Sequence, residues 1–244
     1  MKKLFLSLAA ITLAVGPLSA ANPTLTPLAY KPNSWQLKSS QGYTQLVSKY
    51  KTVTLLFLGD SITHGWTMTW VKHNGSKVWN NEFKKYPSRL NIGLSGDKIQ
   101  NILWRITEGK QLDYAKPSMI ILMIGANNLG KNSNQNDNAD GIKKIIDTIQ
   151  TKQPQAKILL LSVLPVSWRM TQYAELNKII CKFHDGKKVF FLDVASCFLK
   201  PDGKPQYLHD GLHPTEEGYR AMAKKMIPEI DRILAIIKAE KNAK

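Results

Sequence analysis

The chain has 244 residues, 43% hydrophobic and 21% charged, which is enough for one ordinary domain with a full core and too apolar for a disordered chain. Its formal charge of +16 comes from lysines and arginines scattered along the sequence. Without a basic stripe interleaved with aromatics, nucleic-acid binding is not expected, and the charge reads as solvated surface with a secondary attraction to polyanions.

At the N-terminus, Lys2 and Lys3 precede the apolar run LFLSLAAITLAV and the small residues PLSAA. That order is the pattern of a secretory signal peptide. Residues 1–21 are expected to be removed, with cleavage after Ala20 or Ala21. The product is an exported protein, periplasmic or extracellular, with its domain in 22–244 and its charge reduced to +14 by the loss of the two lysines. A buried first helix is the competing reading. The residues at the cleavage site are Ala21, Asn22 and Pro23, with no cysteine directly after it, so no lipid anchor is expected there. No run in the body reaches the roughly 18 apolar residues of a membrane span.

Residues 34–50 are expected to form an N-terminal helix leading into a first strand, TVTLLFLGD (52–60). Further strands are expected at LNIGLSG (90–96), SMIILMIGA (118–126), AKILLLSVLP (156–165) and KVFFLDV (188–194). Near-continuous runs of Val, Ile, Leu and Phe suit parallel strands covered on both faces. Helical patterns fill 97–109, 138–152 and 171–183. A last helix is capped by Thr215, carries Glu216 and Glu217 in its first turn, and runs to about Lys238. The alternation predicts an α/β fold, a single three-layer α/β/α sandwich around a parallel five-stranded sheet. The loop LGKNSNQNDN (129–138) is too short to divide the chain. Cys181 and Cys197 fall on elements that neighbour each other in such a fold. An exported protein could oxidise them, and two free thiols are as compatible with the sequence.

Ligands in open parallel sheets bind beyond the carboxyl ends of the strands. Those ends carry Gly59-Asp60-Ser61, Gly93-Leu94-Ser95-Gly96, Gly125-Ala126-Asn127-Asn128 and Leu164-Pro165-Val166, and the fifth strand is followed by a loop with His209-Asp210-Gly211-Leu212-His213. A serine nucleophile needs a base within hydrogen-bond reach. His64 lies too near Ser61 in sequence, and His73 and His184 sit among polar residues as surface positions would. His213 follows Asp210 by three residues, so a short turn can set the carboxylate on Nδ1 and leave Nε2 for Ser61. Equally, Asp210 and His213 can simply cap the final helix. A zinc site on His209 and His213 lacks a supporting Glu or Cys cluster, so no metal and no organic cofactor is expected. Gly96, Asn127 and the Ser61 amide can supply oxyanion donors; a tight turn and a loop cap are the ordinary alternatives for the first two.

GDSITHGW, NIGLSGDKIQNILWRI, MIGANN and DGLHP, in this order, resemble the four blocks of the GDSL/SGNH esterase superfamily, in particular its platelet-activating-factor acetylhydrolase-like branch. The likeness runs from about Thr52 to Ile227. It implies a flavodoxin-like sheet of order 2-1-3-4-5, with Ser61 as nucleophile, Asp210 and His213 completing the triad, and Ser61, Gly96 and Asn127 as the oxyanion hole. By the same resemblance Asp60 and Asp97 are structural hydrogen-bonders. Ile62 stands where the common block has Leu, and Gly125-Ala126-Asn127-Asn128 follows the acetylhydrolase-like branch.

The segment after Ser61 brings Trp66, Trp70 and Trp79 near the nucleophile in sequence. Indoles beside a polar cleft suit stacking on sugar rings, and packing against the sheet is the alternative. Without a long apolar lid, the expected substrate is a short acyl ester, acetyl above all, on a carbohydrate such as a polysaccharide. A phospholipid or lysophospholipid acylhydrolase and a non-catalytic carbohydrate-binding protein on the same scaffold are the competing functions.

Overall fold

The computed structural model describes residues 21–243; of the expected signal segment, 1–21, residues 1–20 lie outside them. Five parallel strands form one sheet of order β2-β1-β3-β4-β5: β1 (Thr52–Gly59), β2 (Arg89–Asn91), β3 (Lys116–Met123), β4 (Lys157–Leu161) and β5 (Val189–Leu192). Strand period places successive side chains on opposite faces. Leu56 and Leu58 of β1 join Ile120 and Leu122 of β3 in one cluster, and Leu55 and Phe57 join Met119 and Ile121 in the other. Both faces are covered, which is why the strands read as continuous apolar runs.

The first face is covered by α1 (Trp35–Ser48), α4 (Ile99–Ile106), α5 (Gln135–Lys152) and α6 (Met170–Ile180). The second carries α3 (Ser76–Glu82) and α7 (Glu216–Asn242). Ser34 caps α1 through the Leu37 amide at 3.2 Å, and Thr215 caps α7 through the Gly218 amide at 3.3 Å. The last helix passes through Pro228 without ending. Pro228 is exposed, so the carbonyl its missing N–H leaves unpaired sits on the wet side of the helix. α3 falls within a stretch whose indoles were read for substrate contact, not for helix. β2 is shorter than its apolar run because only Leu55, Leu56 and Phe57 of β1 pair with it. Among the described residues no helix is long and apolar enough to cross a membrane. Cys181 and Cys197 are both free thiols, each partly buried.

Candidate active site

The strand β1 ends at Gly59 for a steric reason. A Cβ there would lie 2.1 Å from Thr63 Oγ1 and 2.3 Å from the Met123 carbonyl oxygen. The missing side chain lets the chain fold back into the short helix α2 (Ser61–His64). Asp60 caps that turn by accepting the Ile62 amide at 3.0 Å. Tyr219 of α7 donates its hydroxyl to the Ile62 carbonyl at 2.9 Å, and Asn91 of β2 donates to the Thr63 carbonyl at 2.8 Å. Ser61 is thus presented on a turn clamped from two sides.

The loop before α7 arrives opposite. Gly211 adopts φ +80°, a left-handed conformation suited to glycine. The Asp210 carboxylate accepts the Leu212 amide at 3.0 Å and the His213 amide at 2.7 Å through one oxygen. Its other oxygen lies 2.7 Å from His213 Nδ1, and His213 Nε2 lies 2.9 Å from Ser61 Oγ. Residues separated by 152 positions therefore share one hydrogen-bonded line. Burial pushes the Asp210 carboxyl up, but the His213 amide and ring and the Leu212 amide hold it down at about 2. The ionised carboxylate on a neutral ring fixes the ring proton on Nδ1 and leaves the Nε2 lone pair facing the serine.

Gly96 and Asn127 line the same cavity, which has a volume of about 680 Å³. Gly96 has φ +87°, so only a glycine turns comfortably there. Asn127 donates one amide proton to the Asp97 carbonyl at 2.9 Å, which keeps its second amide proton for another acceptor. Beneath them Asp97 and Arg105, both fully buried, form an ion pair at 2.6 Å. The Tyr30 hydroxyl also donates to Asp97. Burial raises the Asp97 carboxyl, opposed by the Arg105 guanidinium and the Tyr30 hydrogen bond.

Two of the three tryptophans are not where a sugar could reach them. Trp66 is 1% exposed and Trp79 is 7% exposed; both pack on Phe57 and Phe83 between the sheet and α7. That corrects their expected role in substrate contact. An indole buries more apolar area than it needs polar contact, and here the core claims it. Trp70 is 70% exposed, edge-on to His64 at 5.5 Å, and lies outside the cavity lining. The wall is built by Met68, Val71, Leu212 and Tyr219, with Lys72 and His73 beside them. His73, expected at the surface, is exposed there and stacks on His209 at 4.6 Å. Arg105 and Asn91, which hold the site without touching the cavity, were missed. A lone cation on the apolar face of α4 was the available signal for Arg105.

Residues 57–221, more than half of the chain, match the sequence profile of the GDSL-like Lipase/Acylhydrolase family. The chain belongs to that family. It is an ester hydrolase of the acylhydrolase type. Human platelet-activating factor acetylhydrolase IB subunit alpha1 is similar, 28% identical over 77% of this chain and 80% of its own length. The alpha2 subunit from Rattus norvegicus is 30% identical, covering 79% and 82%. Among solved structures, a GDSL-like lipase from Bacteroides thetaiotaomicron aligns with TM-score 0.61 at 23% identity, over 79% of this chain and 97% of that one. An acetyl xylan esterase aligns with TM-score 0.58 at 18% identity, over 72% and 99%. These structures share the fold of this acylhydrolase.

Proposed function

We propose that the protein is an exported serine esterase that removes short acyl groups, acetyl first among them, from a hydroxyl-bearing substrate such as an O-acetylated carbohydrate. The observation that carries the chemistry is the Ser61 Oγ to His213 Nε2 contact of 2.9 Å with Asp210 on the far ring nitrogen at 2.7 Å. Ser61 attacks the ester carbonyl while Nε2 takes its proton. The ionised Asp210 stabilises the imidazolium so formed. The Ser61 and Gly96 amides and the Asn127 side chain receive the oxyanion, and His213 protonates the departing alcohol. Water, deprotonated by the same nitrogen, then releases the acid from Ser61. No metal or organic cofactor enters these steps.

The acetyl reading draws on the relatives named as acetylhydrolases, and export draws on the charged, apolar and small-residue order of residues 1–21. A cavity of about 680 Å³ exceeds what an acetyl group fills, so part of the alcohol lies inside it. Its walls of Met68, Val71 and Leu212 favour one second reading, a lipid ester with a short acyl chain and its head group near Lys72.

Labelling with a fluorophosphonate probe followed by mass spectrometry tests the nucleophile: the adduct is expected on Ser61. The Ser61→Ala variant should lose hydrolysis of a short acetyl ester and keep its fold; wild-type turnover in that variant would refute the assignment. Acetylated glycans and short-acyl phospholipids, compared at equal concentration, separate the two substrate readings.

A further inference from the structure

We propose that the His209-Gly211-His213 loop is also an inhibitory binding site for a borderline divalent cation, Zn²⁺ being the type case, with His209, Asp210 and His213 as its ligands. One ligand atom from each of these three residues lies within 4.8 Å of the other two. Two imidazoles and a carboxylate are a donor set that suits zinc, and at bond lengths of about 2.0–2.2 Å the ligand atoms must close to about 3.3 Å. Side-chain rotation supplies the difference.

The loop is already shaped for chelation. His209 N–H donates to the His213 carbonyl at 3.0 Å, and Ser167 N–H donates to the Gly211 carbonyl at 2.9 Å. Leu208 and Pro214 form an antiparallel bridge at its base. The rings of His209 and His213 are near parallel, 5.9 Å apart, and His73 stacks on the outer face of His209. His209 and Asp210 are exposed, so an ion can enter from solvent without opening the fold. Neither His73 nor His209 has a part in the acyl transfer described above.

This inference rests on the serine-esterase reading for its consequence. In that reading neutral His213 carries one proton, on Nδ1 against Asp210, and a lone pair on Nε2. A cation held between Asp210, His209 and His213 takes the Nδ1 lone pair. The single ring proton then moves to Nε2, so protons balance and only dative bonds form. An Nε2 that already bears a proton cannot accept the one from Ser61, and hydrolysis stops.

Calorimetric titration of Zn²⁺ into the Ser61→Ala protein tests binding without relying on turnover. One ion per chain is expected, and adding His209→Gln should weaken it at least about tenfold, the lower end of what even outer-sphere losses cost a metal site. Zn²⁺ added to the wild-type enzyme should suppress acetyl-ester hydrolysis in step with occupancy, and a chelator should restore it. Equal Zn²⁺ affinity with and without His209 overturns the site, and the esterase reading survives that result. Binding that depends on His209 while wild-type turnover stays intact overturns the inhibition. Full turnover by Ser61→Ala would overturn the esterase reading and leave the calorimetric result standing.

Discussion

Replacing Arg105 by Met removes a fully buried cation and strands everything it holds. The guanidinium donates to Asp97 at 2.6 Å, to Gln111 Oε1 at 3.0 Å and to the Ile92 carbonyl. Met fills much of the same space against Tyr43, so the main loss is electrostatic. Asp97, 0% exposed, would keep the Tyr30 hydroxyl and lose its countercharge. Breaking a buried pair from one side costs about 3–5 kcal/mol, because the remaining charge stays desolvated. For a domain of this size each kcal/mol moves Tm by about 2–4 °C, so far-UV circular dichroism at neutral pH should show a drop of about 6–20 °C. The double variant Asp97→Asn/Arg105→Met should recover part of it, with a coupling of about 0.5–3 kcal/mol, the range for residues in direct contact. The Asp97 carbonyl anchors Asn127, so turnover should also fall at temperatures where the single variant is fully folded. A loss of stability under about 1 kcal/mol, the ordinary scale for a substitution without special cause, would refute the claim that this pair braces the oxyanion loop.

Other substitutions probe the site more locally. Asn127→Ala should lower kcat on an acetyl ester by about 10²–10³, the effect of losing one oxyanion donor, while steady-state kinetics show KM little changed. Gly59→Ala places a Cβ 2.3 Å from the Met123 carbonyl oxygen, a backbone atom that cannot swing aside; overpacking of this kind costs about 1–3 kcal/mol, read as a lower urea midpoint. Asp60, fully buried, is pushed up by desolvation to about 7, against the pull of the Ile62 amide. Its folded form therefore holds a proton that the unfolded chain has released between about pH 4 and 7. Stability from this group is greatest at the acid end and falls as pH rises through that window, at about 1.4 kcal/mol per unit and on the order of 4 kcal/mol in all. Subtracting the stability curve of Asp60→Asn from that of the wild type should expose the slope; parallel curves would refute it.

The strands were legible because parallel strands buried on both faces leave little choice but Val, Ile, Leu and Phe, whatever packs on them. Ser61, Asp210 and His213 were legible as candidates for a different reason: short polar blocks at strand ends must break the apolar pattern, and each carries a residue type with definite chemistry. Side-chain direction was not legible. Trp66, Trp70 and Trp79 are the same residue within fourteen positions of sequence, yet two face the core and one faces water, since that depends on how α7 closes over the sheet. His73 lies at the surface as its polar neighbours imply, but its stacking partner His209 is far along the chain and only the fold brings the two together. Arg105 is one cation among the chain's scattered charges until Asp97, Gln111 and the Ile92 carbonyl surround it. Local sequence determines periodicity, turns and chemical type, which are short-range properties of the backbone and side chain. Which groups meet, at what distance and with how much water excluded, is set by long-range packing, and the line from Asp210 through His213 to Ser61 exists only once that packing is complete.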